Sequence, residues 1–110
     1  MTVAEFRRRA LRLPGTVEGA HMDHADFRVG GKIFATLGYP DDEHAVVLLP
    51  ADEQQRYVET AASAFAAVKG AWGKNGATQM RLAEVETATA DAALLIAWRK
   101  RAPKKLLAQV

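Results

Sequence analysis

The sequence predicts an α+β domain: a single antiparallel sheet with terminal helices packed on one face. Three observations carry this. Two half-apolar runs, Asp26–Val29 and Lys32–Leu37, meet at Gly30-Gly31, which is a short-range hairpin signal. Successive strand-like runs are joined by turns too short for a crossover, so neighbouring strands must be antiparallel. Helical patterns stand at the start, middle and end of the chain instead of alternating with every strand.

The elements follow in order. Thr2-Val3-Ala4-Glu5 is a capping box, and from it Val3, Phe6, Ala10 and Leu13 form one apolar stripe with Arg8, Arg9 and Arg12 on the far side. Pro14-Gly15 ends this helix. Val17 to Met22 reads as a weak strand, diluted by Glu18 and Gly19, and Asp23-His24-Ala25 reads as a turn. In the hairpin, Phe27 and Val29 share a face, as do Ile33, Ala35 and Leu37 in the second arm, so at least one face is covered by helix. After a turn over Gly38–Glu43, the run Ala45-Val46-Val47-Leu48-Leu49 is apolar throughout, as a central strand buried on both sides would be. Pro50 with Asp52 and Glu53 favours a helix start, and this helix is expected to reach about Ala62 and to bury Tyr57, Val58 and Ala61. Lys69–Gly76, with three glycines, reads as a loop. Ala77–Leu82 alternates as an edge or half-exposed strand does, and a last helix spans Thr87–Arg101 with Leu94, Leu95, Trp98 and Ala102 inward. Beyond Pro103 the chain is not expected to stay helical.

A chain of 110 residues, 49% hydrophobic and 25% charged, suits one globular domain over residues 1–110. The absence of cysteine excludes a disulfide, a thiolate nucleophile and a zinc–cysteine site, and agrees with a reducing compartment. No apolar run is long enough for a membrane span and no leader-like segment opens the chain, so a cytoplasmic protein without membrane contact is expected, and a monomer. Charge is distributed unevenly. Residues 1–12 and 99–110 carry nine basic groups against Glu5 alone, while residues 13–98 hold six basic and twelve acidic groups. If the termini meet, they form a basic face on an acidic body, which concentrates polyanions; two solvated basic helix faces are the plainer account.

Catalytic chemistry finds little support. Ser63 is the one serine, at the end of an alanine-rich helix and outside any nucleophile elbow. Gly30-Gly31-Lys32 continues into a strand and so is no phosphate loop. His21, Asp23, His24 and Asp26 are the one cluster of metal-ligand or acid–base types, but His44 lies on another strand, and turn-stabilising aspartates with half-buried histidines are the simpler reading. No catalytic residues, metal or cofactor are expected. Trp98 is core by spacing, and the burial habit of tryptophan makes Trp72 a plug under its loop before it makes it an exposed platform for bases.

Several stretches together are similar to the MmcQ/YjbR family: Ala10-Leu11-Arg12-Leu13-Pro14-Gly15, Glu18-Gly19, the run from His24 through Asp26-Phe27-Arg28-Val29-Gly30-Gly31-Lys32-Ile33-Phe34-Ala35, Gly70-Ala71-Trp72-Gly73 with Gly76, and Ala97-Trp98-Arg99 with Ala102-Pro103-Lys104-Lys105-Leu106. The resemblance implies a CyaY-like arrangement, a twisted antiparallel sheet under two terminal helices with a helical segment added before the last strand. It also implies DNA as a partner, bound through a pair of β-wings. Carried over, the Phe27–Phe34 hairpin offers Arg28 and Lys32, and the Lys69–Gly76 segment offers Lys69, Lys74 and Trp72. The acids Asp23, Asp26, Asp41, Asp42 and Glu43 adjoin these wings and oppose phosphate, so the terminal helices are electrostatically the better surface. The expected phosphate contacts are Arg7, Arg8, Arg12, Arg28, Lys32, Lys74, Arg99, Lys100 and Lys104, with Trp72 for stacking. The competing reading is a non-catalytic small-molecule or protein-interaction module that uses the sheet face opposite the helices and the His21–Asp26 turn.

Overall fold

A computed structural model describes residues 1–110. The capping box forms at the start of α1 (Val3–Leu11): Glu5 N–H donates to Thr2 Oγ1 at 3.1 Å and Thr2 N–H donates to Glu5 Oε1 at 3.3 Å. Four strands follow as a meander, β1 (Val17–His21), β2 (His24–Val29), β3 (Lys32–Leu37) and β4 (His44–Leu48). Then come α2 (Ala51–Thr60), β5 (Phe65–Ala67), α3 (Ala71–Lys74), β6 (Ala77–Arg81), α4 (Thr87–Arg101) and α5 (Lys104–Leu107). All pairings are antiparallel and the strand order is β1-β2-β3-β4-β6-β5.

The helices cover one face. Phe6 and Ala10 of α1, Tyr57 of α2, and Ala90, Ala93, Leu94, Ala97 and Trp98 of α4 close over Phe27, Val29, Ala35, Val47 and Met80, in a core of 21 buried residues. β4 is buried along its whole length, as its uninterrupted apolar run predicts. Its Val46 and Leu48 point the other way, into a patch of four buried residues with Val68 and Ala77. α1 and α4 lie side by side and run in the same direction. The Met1 ammonium donates to Leu82 O near the start of α4, Arg9 pairs with Asp91 at 2.7 Å, and Trp98 Nε1 donates to Pro14 O at 2.9 Å beyond the end of α1.

Several expectations are corrected. The tight turn between β1 and β2 is Met22-Asp23, whose φ angles of 47° and 67° both lie in the left-handed region, and His24 and Ala25 already pair with His21 and Ala20. Register slips between Phe27/Ala35 and Arg28/Ile33, so Phe34 is an extra residue on β3. This bulge puts Phe34 beside Ala35 on the helix face and turns Ile33 to the opposite face with Val46 and Leu48. β6 is not an edge strand, because the short β5 pairs outside it and leaves Ala77, Thr78 and Met80 buried. α2 ends at Thr60 and buries only Tyr57, with Val58 and Ala61 half-buried. The glycine-rich loop holds the single turn α3, and Pro103 restarts helix as the residue before α5 instead of ending it.

Candidate nucleic-acid interface

The antiparallel order sends the β2–β3 hairpin tip, the end of β4 and the β5–β6 connection to one end of the sheet. Because α1 and α4 run in parallel, both of their C-termini also finish at one end. Pro103 joins the two sets: its ring packs on Gly30 so closely that a Cβ there would lie 3.1 Å from Pro103 Cγ and Cδ. Leu106 of α5 packs against Gly15, just past α1, in the same way. Arg12, Lys32, Lys69, Lys74, Arg99, Lys100, Arg101, Lys104 and Lys105 therefore share one end of the molecule. None of these nine takes part in any of the six ion pairs of the chain. The acids nearest to this end are Glu18, beside the first residue of β1 and bonded to Arg7, and Asp52 and Glu53 of α2, of which Glu53 is bonded to Arg56. Part of the pattern has a local cause, since Arg8, Arg9 and Arg99–Arg101 occupy last helical turns, where carbonyl dipoles favour cations. Lys32, Lys69, Lys74, Lys104 and Lys105 do not owe their places to that effect on α1 or α4.

The opposite end is acidic, with Asp23, Asp41, Asp42, Glu43, Glu84 and Glu86 in the turns β1–β2, β3–β4 and β6–α4. The two widest clefts lie there, of about 360 Å³ (Asp41, Glu43, His44, Arg81, Glu84) and about 340 Å³ (Arg7, Asp23, His24, Asp42). Their walls carry polar and apolar surface in nearly equal parts, whereas typical small-molecule sites are predominantly apolar.

Two of the expected phosphate contacts are otherwise engaged. Arg7 Nε donates to Glu18 Oε1 at 2.9 Å. Arg28 donates to both oxygens of Asp26, Nε to Oδ1 at 2.8 Å and Nη2 to Oδ2 at 3.0 Å. Arg8, Arg12, Lys32, Lys74, Arg99, Lys100 and Lys104 are exposed and unpaired. Hairpin and terminal helices are thus one basic surface and not alternatives, because Pro103 seats on the hairpin turn.

The sheet face away from the helices carries a second group of polar residues. Strand parity puts His21, His24, Asp26 and Arg28 on it together, with Gly19 beneath. A Cβ at Gly19 would lie 2.9 Å from Asp26 Oδ1 and 3.2 Å from Arg28 Nε, so this glycine makes the room in which the carboxylate is covered. His21 Nδ1 donates to Asp26 Oδ2 at 2.7 Å, and Asp26 has no exposed surface. The Arg28 bonds, reinforced by His21 and opposed by burial, hold the Asp26 carboxyl below the usual aspartate range. On β4, His44 Nδ1 bonds Asp41 Oδ1 at 2.7 Å, and this bond with the Glu43 amide lowers the Asp41 carboxyl in the same direction. Asp23, in its turn, is exposed and apart from this network, and no three acidic or imidazole groups converge as metal ligands would.

Trp72 does not plug the core. It is 36% exposed, and its ring meets that of Tyr39, also 36% exposed, edge to face with centroids 5.3 Å apart. Tyr39 precedes one end of β4 and α3 lies beyond the other, so the two rings reach toward each other along the strand direction.

The model of the family described as YjbR matches residues 11–100. The chain belongs to the YjbR family. No curated protein and no solved structure matches it. The matched span runs from the end of α1 to the last turn of α4, so this YjbR domain includes the whole sheet, the hairpin and the Trp72 segment, with Lys104 and Lys105 just outside. Two features of the YjbR domain escaped the residue-by-residue reading. The seat of Pro103 on Gly30 has no local signal. The Asp26–Arg28 pairing does have one, an i, i+2 acid–base pair in a strand, which puts both side chains on one face.

Proposed function

We propose that this YjbR domain binds nucleic acid through the phosphate backbone at its basic end, without strong sequence preference. The observation that carries the reading is the gathering of nine unpaired basic side chains from four separate segments at one end of the fold, with the acids of the turns at the other. Such a field steers polyanions and orients them before contact. Arg12, Lys32, Lys74, Arg99, Lys100 and Lys104 make the contacts in this reading, with Arg8 at their border. Arg7 and Arg28 are structural.

Fluorescence anisotropy of a labelled duplex tests it. With about four phosphates neutralised, affinity falls by about two orders of magnitude between about 50 and 200 mM salt. Lys100→Glu/Lys104→Glu weakens binding and flattens that salt dependence. Arg7→Glu, which removes a group held by Glu18, changes binding far less. Salt-independent binding, or equal losses in both variants, overturns the reading.

A further inference from the structure

We infer that Trp72, braced by Tyr39, is a stacking platform for an unpaired nucleobase, so that the domain prefers single strands to duplexes. This rests on the nucleic-acid reading above and adds to it the class of strand.

The chain has eight aromatic residues of Phe, Trp and Tyr type. Six of them, Phe6, Phe27, Phe34, Tyr57, Phe65 and Trp98, are at most 4% exposed, while Trp72 and Tyr39 each keep 36%. A tryptophan serving only to anchor its loop has no need of that surface. Their planes cross at 75°, so the contact occupies one face of one ring and leaves π surface open. The platform is also rigid. A Cβ on the neighbouring Gly73 would lie 1.6 Å from Val68 O, so this turn is pressed directly on the backbone before it. Gln54 Nε2 donates to Gly73 O at 2.9 Å and to Ala77 O at 3.0 Å, pinning both sides of the turn. A platform fixed in advance loses little ordering entropy on binding. Lys69 and Lys74, exposed and unpaired, flank Trp72 in the sequence and belong to the basic end, whereas Tyr39 stands in the acidic β3–β4 turn, so the phosphates of a stacked base meet cations on the Trp72 side of the pair. A duplex keeps its bases stacked on one another, and only an unpaired base reaches such a ring.

The test compares a labelled oligothymidine of about twelve nucleotides with a duplex of equal length. Wild type, Trp72→Leu, Trp72→Phe and Lys100→Glu/Lys104→Glu are titrated, and tryptophan emission is followed. Trp98 is fully buried, so strand-dependent quenching reports on Trp72. The expected result is a loss of about tenfold or more for Trp72→Leu on the single strand, no change on the duplex, and near-wild-type binding for Trp72→Phe. If Trp72→Leu leaves single-strand binding intact, or weakens both ligands equally, while the lysine double variant still loses both, the stacking inference falls and the phosphate reading stands. If wild type binds neither ligand, both fall.

Discussion

Asp26 shows how much one side chain can organise. Its carboxylate accepts from Arg28 twice and from His21 once, over a glycine that leaves the space open. Removing it strands two cationic-capable groups that are themselves about one-third exposed, with side-chain exposures of 37% and 36%, so water repays part of the loss. Asp26→Ala should therefore lower the unfolding free energy in urea by about 2 kcal/mol. The pH dependence follows from the sign of the shift. Asp26 has a lower pKa folded than unfolded, so its contribution is fully present above the ordinary value of 3.8 and is lost as pH falls through the lowered folded value. Asp26→Asn should flatten the acid limb of a stability–pH profile measured by urea unfolding. At this scale the sequence was legible in kind but not in partner: the histidines and aspartates were visible as a cluster, yet nothing local said that Arg28 was spent on Asp26 and Arg7 on Glu18.

Elements that follow from local chemistry are the ones the sequence discloses. The capping box at Thr2, the Gly30-Gly31 hairpin and the doubly buried β4 each rest on residues within a few positions of one another. The bulge at Phe34, the edge strand β5 and the interior place of β6 depend on pairing partners far along the chain, so alternation alone misassigns them. A pair of glycine substitutions separates turn chemistry from tertiary fit. Gly31 has φ of 79° and a methyl group on its Cα would meet nothing within 4 Å, so Gly31→Ala should cost only the left-handed strain, about 1 kcal/mol. Gly76 has φ of 104° and a Cβ there would lie 2.1 Å from Leu49 O, so Gly76→Ala should cost more than about 3 kcal/mol. Thermal melts of the two variants read the difference directly.

Across the whole molecule, charge is sorted along the strand direction, basic at the hairpin tip and helix ends and acidic at the other set of turns. The uneven distribution was visible in the sequence, but the sharing of one end by Lys32, Lys69 and Lys74 with the C-terminal residues was not, since it follows from strand order and the Pro103 contact. Nine like charges without partners repel one another, so polyphosphate should raise the melting temperature more than sodium chloride of equal ionic strength, because a bound polyanion stabilises the folded state by mass action. No helix is long and apolar enough to cross a membrane. The parallel pair α1 and α4 also sets the order of events during synthesis. Trp98, fully buried, is bonded to Pro14 across 84 positions, and α4 supplies five of the residues that roof the sheet. While the ribosome is still making α4, the finished β-meander has at most α1 and α2 over its apolar face, so until α4 folds down the nascent chain is a sheet with an incomplete cover.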